Sequence, residues 1–187
     1  MRTSRIRPGL LLIAGVGLSD GVFDQSVVLV LDADSSGALG VTLNRFCEFE
    51  LEAALPGWAG MASFPEALYD GGPVSQEGAI CLASPVRETE EPPGWRPLFD
   101  RVGLLHLDTP IEIARGAYSD LRIFAGYAGW AQGQLEGELE RGLWYPVQAR
   151  YSDVFDSDPP TLWRRALRRQ GGELGLLSAW TAMPELN

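Results

Sequence analysis

The chain has 187 residues, of which 45% are hydrophobic and 21% charged, and this balance suits one globular domain with a substantial core. Its net charge is −10, and all fifteen of its basic residues are arginine, so Schiff-base lysine chemistry and a P-loop lysine are excluded. The acidic balance opposes non-specific binding to nucleic acid, which works by neutralising phosphates.

Residues 1–8 are arginine-rich, and a frayed start is expected there. The apolar run that follows is too short for a bilayer span or a signal peptide and has no small-residue cleavage pattern, so it reads as a buried strand over residues 10–14. With no span, no membrane insertion is expected, and the setting is taken as cytoplasmic. Strands are predicted next over residues 27–31 and 39–43. They are joined by the polar turn DADSSGA into a hairpin. A short helix over residues 50–55 stops at Pro56-Gly57. Short strands over 67–69 and 79–82 flank DGGPVS, and residues 88–97 form an acidic, proline-bearing loop expected to be mobile.

Further on, a strand is predicted over 104–107. A helix follows from Thr109-Pro110 to about Tyr118, with Thr109 as N-cap and Pro110 at the first helical position. A strand over 121–125 leads into GYAGWAQGQLEGELERGLW, residues 126–144, with a helix over 132–141 ended by Gly142. A strand over 144–149 and a helix from the Pro159-Pro160 pair to Arg169 complete the order. Many short strands with few helices imply a mixed, mainly antiparallel fold.

Several residues could carry chemistry, and each has a plainer reading. DADSSG, residues 32–37, matches the first half of a calcium loop, but its twelfth position is Leu43 and its flanks are strands, so a hairpin turn is preferred. His106 is the sole histidine, which rules out a multi-histidine metal site within one chain and favours a structural residue. Cys47 and Cys81 have no metal-type spacing and read as two buried free thiols. DGGPVS lacks the spacing of a phosphate loop, although its paired glycines could floor a pocket. Glu136 and Glu140 lie on one helical face with Glu138 turned away, and Leu135 and Leu139 form a buried stripe; a solvated amphipathic helix accounts for all five. Arg164, Arg165, Arg168 and Arg169 surround the apolar face made by Trp163, Ala166 and Leu167. No helix-turn-helix partner precedes them, so contacts to solvent or to acids of the same chain are preferred over DNA.

The pieces LLLIA, FDQSVVLVL, GALGVTLNR, GGPV, FAGYAGWAQGQLEGEL and LWRRAL together resemble the AlgH/YqgE family, in its actinobacterial branch, over residues 10 to about 172. Gln132, Phe46 and Asp34 depart from the usual family residues proline, proline and histidine; the last weakens any catalytic role for a histidine at that point. The resemblance implies an α+β fold: a mixed, mainly antiparallel, branched sheet with partly barrel-like character, surrounded by short helices. It implies no cofactor and no established catalytic residue. The family's label of transcriptional regulator comes from a genetic effect and not from a DNA-binding motif. Two readings follow. One is a non-enzymatic binding or regulatory protein without direct DNA contact. It would meet a protein or small-molecule ligand at Asn44, Gly71, Gly72, Trp130, Gln134 and Glu138. The other is a hydrolase using Glu136 or Glu138 as its base. The glycines of residues 126–144 are expected to allow a sharp strand bend at Gly126 and Gly129 and a close backbone approach at Gly133. Gln134 is expected either to cap a neighbouring loop, such as the one near Asn44 or Gly71-Gly72, or equally to meet a ligand or partner.

Overall fold

A computed structural model describes residues 6–18 and 21–179. Its nine strands, in chain order, are β1 (Leu10–Ala14), β2 (Val27–Asp34), β3 (Gly37–Thr42), β4 (Leu68–Asp70), β5 (Val74–Pro85), β6 (Trp95–Phe99), β7 (Val102–Leu105), β8 (Tyr118–Ala131) and β9 (Trp144–Gln148). They form one curled sheet in the order β6-β7-β5-β8-β3-β2-β1-β9, with β4 branching off β8. Every pairing is antiparallel except β4 with β8. Short helices surround this half-barrel: α1 (Leu51–Ala54), α2 (Ile111–Ala114), α3 (Gln134–Glu140), α4 (Tyr151–Val154), α5 (Leu162–Arg168) and α6 (Gly172–Leu177). The α+β, mainly antiparallel and branched expectation therefore holds.

The curl follows from β8. Its first half pairs with β5 and β4, and its last four residues pair with β3. Gly126 lies at the changeover with φ +68, a left-handed value that an L side chain rarely adopts. Gly71 fills the gap that opens there. Its N–H donates to Ala125 O at 2.8 Å, and its carbonyl accepts from Thr42 N at 2.9 Å. One long strand is thus shared by two sheet halves, each with its own apolar core.

Residues 10–14 and 27–31 are buried throughout, as continuous apolar strands require. The β2–β3 hairpin turns at Ser35-Ser36. Asp34 Oδ1 accepts from Ser36 N at 2.7 Å, a local turn bond that stabilises the hairpin without a metal. Helix α5 lies against β1, and Trp163 Nε1 donates to Ala14 O at 2.8 Å.

Four expectations change. The helix expected over residues 109–118 is a single turn, with Pro110 rather than Thr109 at the N-cap; Gly116, at φ +78, turns the chain and Tyr118 already belongs to β8. Sheet pairing with β5 outweighs the capping signal. The loop expected over 88–97 ends earlier, because Trp95–Phe99 pairs with β7 and Trp95 Nε1 donates to Ala83 O at 2.9 Å. The strand expected over 121–125 runs for fourteen residues. Helices α4 and α6 lie where no helix was expected. Of the frayed segment expected over residues 1–8, residues 1–5 lie outside the described ones. Arg7 donates to Gln148 Oε1 at 2.8 Å, which ties the chain entry to β9.

Candidate functional site

The end of β8, helix α3 and the start of β9 form one hydrogen-bonded unit. Gly133, at φ +75, redirects the chain into α3. Positions four apart on a helix share a face, so Gln134 and Glu138 meet. Gln134 Oε1 accepts from Ala131 N at 3.0 Å, and its Nε2 donates to Glu138 Oε1 at 3.0 Å. The other oxygen, Glu138 Oε2, accepts from Trp130 Nε1 and Trp144 Nε1, each at 2.8 Å. Phe23 closes the cluster, with ring centroids 6.4 Å from Trp130 and 5.6 Å from Trp144. Gly142, at φ +70, ends the helix and lets Trp144 enter the core.

The structure thus joins Trp130, Gln134 and Glu138, three of the six residues named from the sequence. It also corrects two readings. Gln134 bonds within its own unit rather than to the loops of Asn44 or Gly71-Gly72. Gly133 has no heavy atom within 4 Å of the place a Cβ would occupy, so its backbone conformation, and not a close approach, calls for glycine. Gly71 and Gly72 are where close approach occurs: a Cβ on Gly72 would lie 2.3 Å from the Tyr127 carbonyl carbon, and one on Gly71 2.4 Å from Gly126 O. Asn44 latches a turn, accepting from Val27 N and donating to Gln25 O, both at 2.9 Å.

Two grooves flank the tip of the β2–β3 hairpin. One, of about 420 Å³, is walled by Trp130, Tyr127 and Val74 opposite Asp32, Asp34 and Ser36. The other, of about 520 Å³, lies between the hairpin and α3, with Ala38, Leu135 and Leu139 as apolar lining and Asp34 and Glu136 as acids. Hydrogen bonds from Ser36 hold the Asp34 carboxyl below its usual range, so it is charged at neutral pH. Glu136 and Glu140 are exposed and Glu138 is half-buried. Leu135 is buried and Leu139 half-buried, close to the expected stripe.

The remaining sequence candidates fall elsewhere. His106 is exposed just past β7, on a groove of about 300 Å³ that also holds Asp32 and Arg96. Cys81 is buried and Cys47 only half-buried, both free. On α5, Arg165 pairs with Asp156, Arg169 forks onto both oxygens of Asp153, and Arg164 donates to Ser178 O at 2.8 Å. The contacts of Arg165 and Arg169 are acid contacts within the chain of the kind the sequence suggested for this helix; Arg164 meets a backbone carbonyl, and Arg168 is exposed. Among the described residues no group of three or more histidine, cysteine or acidic side chains could hold a metal ion, and no helix is long and apolar enough to cross a membrane.

Sequence reasoning missed Arg122. Only 1% exposed, it donates to Val154 O at 2.7 Å, Asp156 O at 2.9 Å and Phe64 O at 3.0 Å, and lies 4.5 Å over the Tyr69 ring. Burial pushes its pKa down. The signal was one charge inside the apolar run LRIFAGYA, where an unpaired arginine has no place.

Comparison with known proteins follows the same lines. A family model described as AlgH-like (DUF179) matches residues 11–175. A UPF0301 protein of Streptomyces avermitilis is 43% identical over 182 residues, which cover 96% of this chain and 94% of the relative. One from Mycobacterium tuberculosis is 40% identical over 177 residues, covering 93% and 87%. Among solved structures, a protein from Corynebacterium diphtheriae superimposes with a TM-score of 0.88 at 29% identity, covering 96% of this chain and 95% of that one. The AlgH protein from Pseudomonas aeruginosa does so with a TM-score of 0.68 at 27% identity, covering 93% and 94%. Fold, motifs and relatives agree, and the chain belongs to the AlgH-like family.

Proposed function

We propose that this chain is a non-enzymatic binding or regulatory protein that meets a protein or small-molecule ligand on the face built by the β2–β3 hairpin, the end of β8 and α3. The observation that supports this reading is the double anchoring of Glu138. Its oxygens take N–H donors from Trp130, Trp144 and Gln134, which fixes an aromatic groove wall and leaves that carboxylate poorly placed to act as a base. Asp32, Asp34 and Glu136 around the grooves favour a ligand that brings cationic or hydrogen-bond-donating groups. Direct DNA contact is disfavoured by the net charge of −10 and by the internal bonds of Arg164, Arg165 and Arg169. A cytoplasmic setting suits the two free thiols.

The test is an affinity pull-down from native lysate, with the wild-type chain beside an Asp34→Asn/Glu136→Gln variant of confirmed fold. A protein or metabolite retained by the wild type and lost by the variant is expected. Identical retention by both removes this face from consideration.

One observation favours a second reading, a carboxylate-based hydrolase: Glu136 shares the larger groove with another acid, Asp34. Hydrolysis of any ester, glycoside or phosphoester that is abolished by Glu136→Gln would establish it. Turnover unchanged in that variant would remove Glu136 as the base.

A further inference from the structure

The connection from β3 to β4 carries apolar groups on its outside. Phe49 is 73% exposed, Phe64 76% and Phe46 43%. Single exposed phenylalanines are ordinary, but Phe49 stands at the mouth of a groove. The Phe46 ring packs on Tyr69 with centroids 5.2 Å apart. The Phe64 carbonyl is held by Arg122, whose guanidinium lies over the same Tyr69 ring.

Phe49 borders a groove of about 370 Å³ floored by Leu51 and Leu68. Glu48, Glu50, Glu52 and Glu66 line it, and no arginine does. Glu52 accepts from Gly57 N at 3.3 Å. Glu48, Glu50 and Glu66 have no ion-pair partner among the described residues. This differs from the C-terminal helices, where Asp153 and Asp156 each hold an arginine. Like charges gathered around an apolar recess repel one another, and a cation seated among them relieves that repulsion.

We propose that this groove docks a short basic segment of a partner protein, with arginine or lysine heads meeting Glu48, Glu50 and Glu66. An apolar side chain or a guanidinium plane of the segment packs on Phe49. Charge complementarity selects this occupant, and the groove's size suits a few side chains of a linear segment rather than a folded face. The most basic helix of a second copy is a poor occupant, because its Arg164, Arg165 and Arg169 are bonded internally. The groove shares no lining residue with the two beside the hairpin, so the proposal stands apart from the function proposed above.

The experiment is selection of short random displayed peptides on the full chain at low salt. The best peptides are then synthesised and their affinities measured. Winners rich in arginine or lysine interspersed with apolar residues are expected. Their affinity falls about tenfold or more in Phe49→Ser and in Glu48→Gln/Glu66→Gln, as loss of an anchor or of its charge partners requires. It falls similarly at high salt and is unchanged in Asp34→Asn/Glu136→Gln. These positions are exposed, and far-ultraviolet circular dichroism checks that the variants fold. Winners without a basic bias, or winners that bind the groove variants as tightly as the wild type, overturn the proposal. So do winners lost only in Asp34→Asn/Glu136→Gln, which would belong to the hairpin grooves. A dimer of the wild type that Phe49→Ser dissociates in sedimentation also overturns it, because the occupant is then a second copy.

Discussion

Trp130 and Trp144 donate their indole N–H groups to one and the same oxygen, Glu138 Oε2, and their rings meet edge to face with centroids 6.0 Å apart. Trp130 lies at the end of β8, inside the sheet, and Trp144 opens β9 at its edge, so these strands do not pair with each other. The carboxylate on α3 is what links them. Both rings are almost fully buried. Replacing Glu138 by alanine leaves two indole donors without their acceptor. Hydrogen bonds to a charged group contribute about 1.5–3 kcal/mol each, and Glu138 is half-exposed, so water recovers part of the loss; the expected cost of Glu138→Ala is about 2–4 kcal/mol. Glu138→Gln keeps an acceptor oxygen and is expected to cost about 1–2 kcal/mol. Denaturant unfolding followed by tryptophan fluorescence measures both, and wild-type stability in the alanine variant would show that the link carries no weight.

The crossing of Gly71-Gly72 over β8 makes a second, sharper prediction. At Gly72 a Cβ would sit 2.3 Å from the Tyr127 carbonyl carbon, and φ is +149; at Gly126 it would sit 2.5 Å from Gly72 O, and φ is +68. The clashing atoms are backbone and cannot step aside. Alanine at either site is expected to cost about 3 kcal/mol or more, overpacking and left-handed strain together. Gly129 is the control within the same motif. Its nearest neighbour would be Tyr127 Cε2 at 3.5 Å, an ordinary contact, so Gly129→Ala is expected to change stability by less than about 1 kcal/mol. Thermal unfolding of the three variants side by side decides the matter, and equal effects would refute the crossing as the reason for the glycines.

Arg122 gathers three carbonyls from two distant segments, Phe64 on one side and Val154 and Asp156 on the other. Arg122→Met fills similar space but leaves those carbonyls without a donor in the interior, at an expected cost of about 3–5 kcal/mol. Arg122→Lys retains the charge yet cannot present a planar fork to three acceptors, and is expected to recover less than half of that loss. Hydrogen exchange should show faster opening of residues 151–168 in both variants. Exchange unchanged there would mean that α4 and α5 are held by other contacts.

Much of the fold was legible because it rests on local pattern. The apolar runs at 10–14 and 27–31 are strands buried on both faces, and the hairpin turn lies inside DADSSGA, narrowed to Ser35-Ser36 by strands that run to Asp34 and from Gly37. The helix α3 and the terminating role of Gly142 could be read directly, although Glu138, expected on a solvated face, is drawn in by Trp130 and Trp144. What could not be read depends on pairings that the local run of residues does not reveal. Thr109-Pro110 looked like a long helix start, but pairing of β8 with β5 claims the chain from Tyr118. Trp95 looked like loop until β7 folded beside it. In the candidate site, the Gln134–Glu138 pair follows from helical spacing. The convergence of Trp130 and Trp144 on Glu138 spans only residues 130–144, but it needs β8 and β9 to bring both rings to the same oxygen of α3, a placement that helical spacing alone does not give.

The two thiols supply the last prediction, which needs no ligand. Cys81 is buried on β5 in the core of one sheet half, and burial pushes its thiol pKa far up, whereas Cys47 is half-buried. A thiol-specific reagent should therefore titrate Cys47 in the native chain and reach Cys81 only after unfolding. The same burial fixes a pH dependence. A thiol ionises near ~8.5 and a phenol near ~10 when unfolded. In the folded chain Cys81 stays protonated beyond its ordinary range, and burial holds Tyr69 and Tyr118 up to about 12. The folded state then binds more protons than the unfolded state above the unfolded values, so stability is intact below them and declines as pH rises. The unfolding midpoint is expected to hold steady to pH ~8 and fall progressively from about 9 to 11, first through Cys81 and then through the tyrosines. Cys81→Ala should remove the early part of that decline and leave the later part. A midpoint flat to pH ~11 in the wild type, or immediate native labelling of both thiols, would contradict the burial of Cys81.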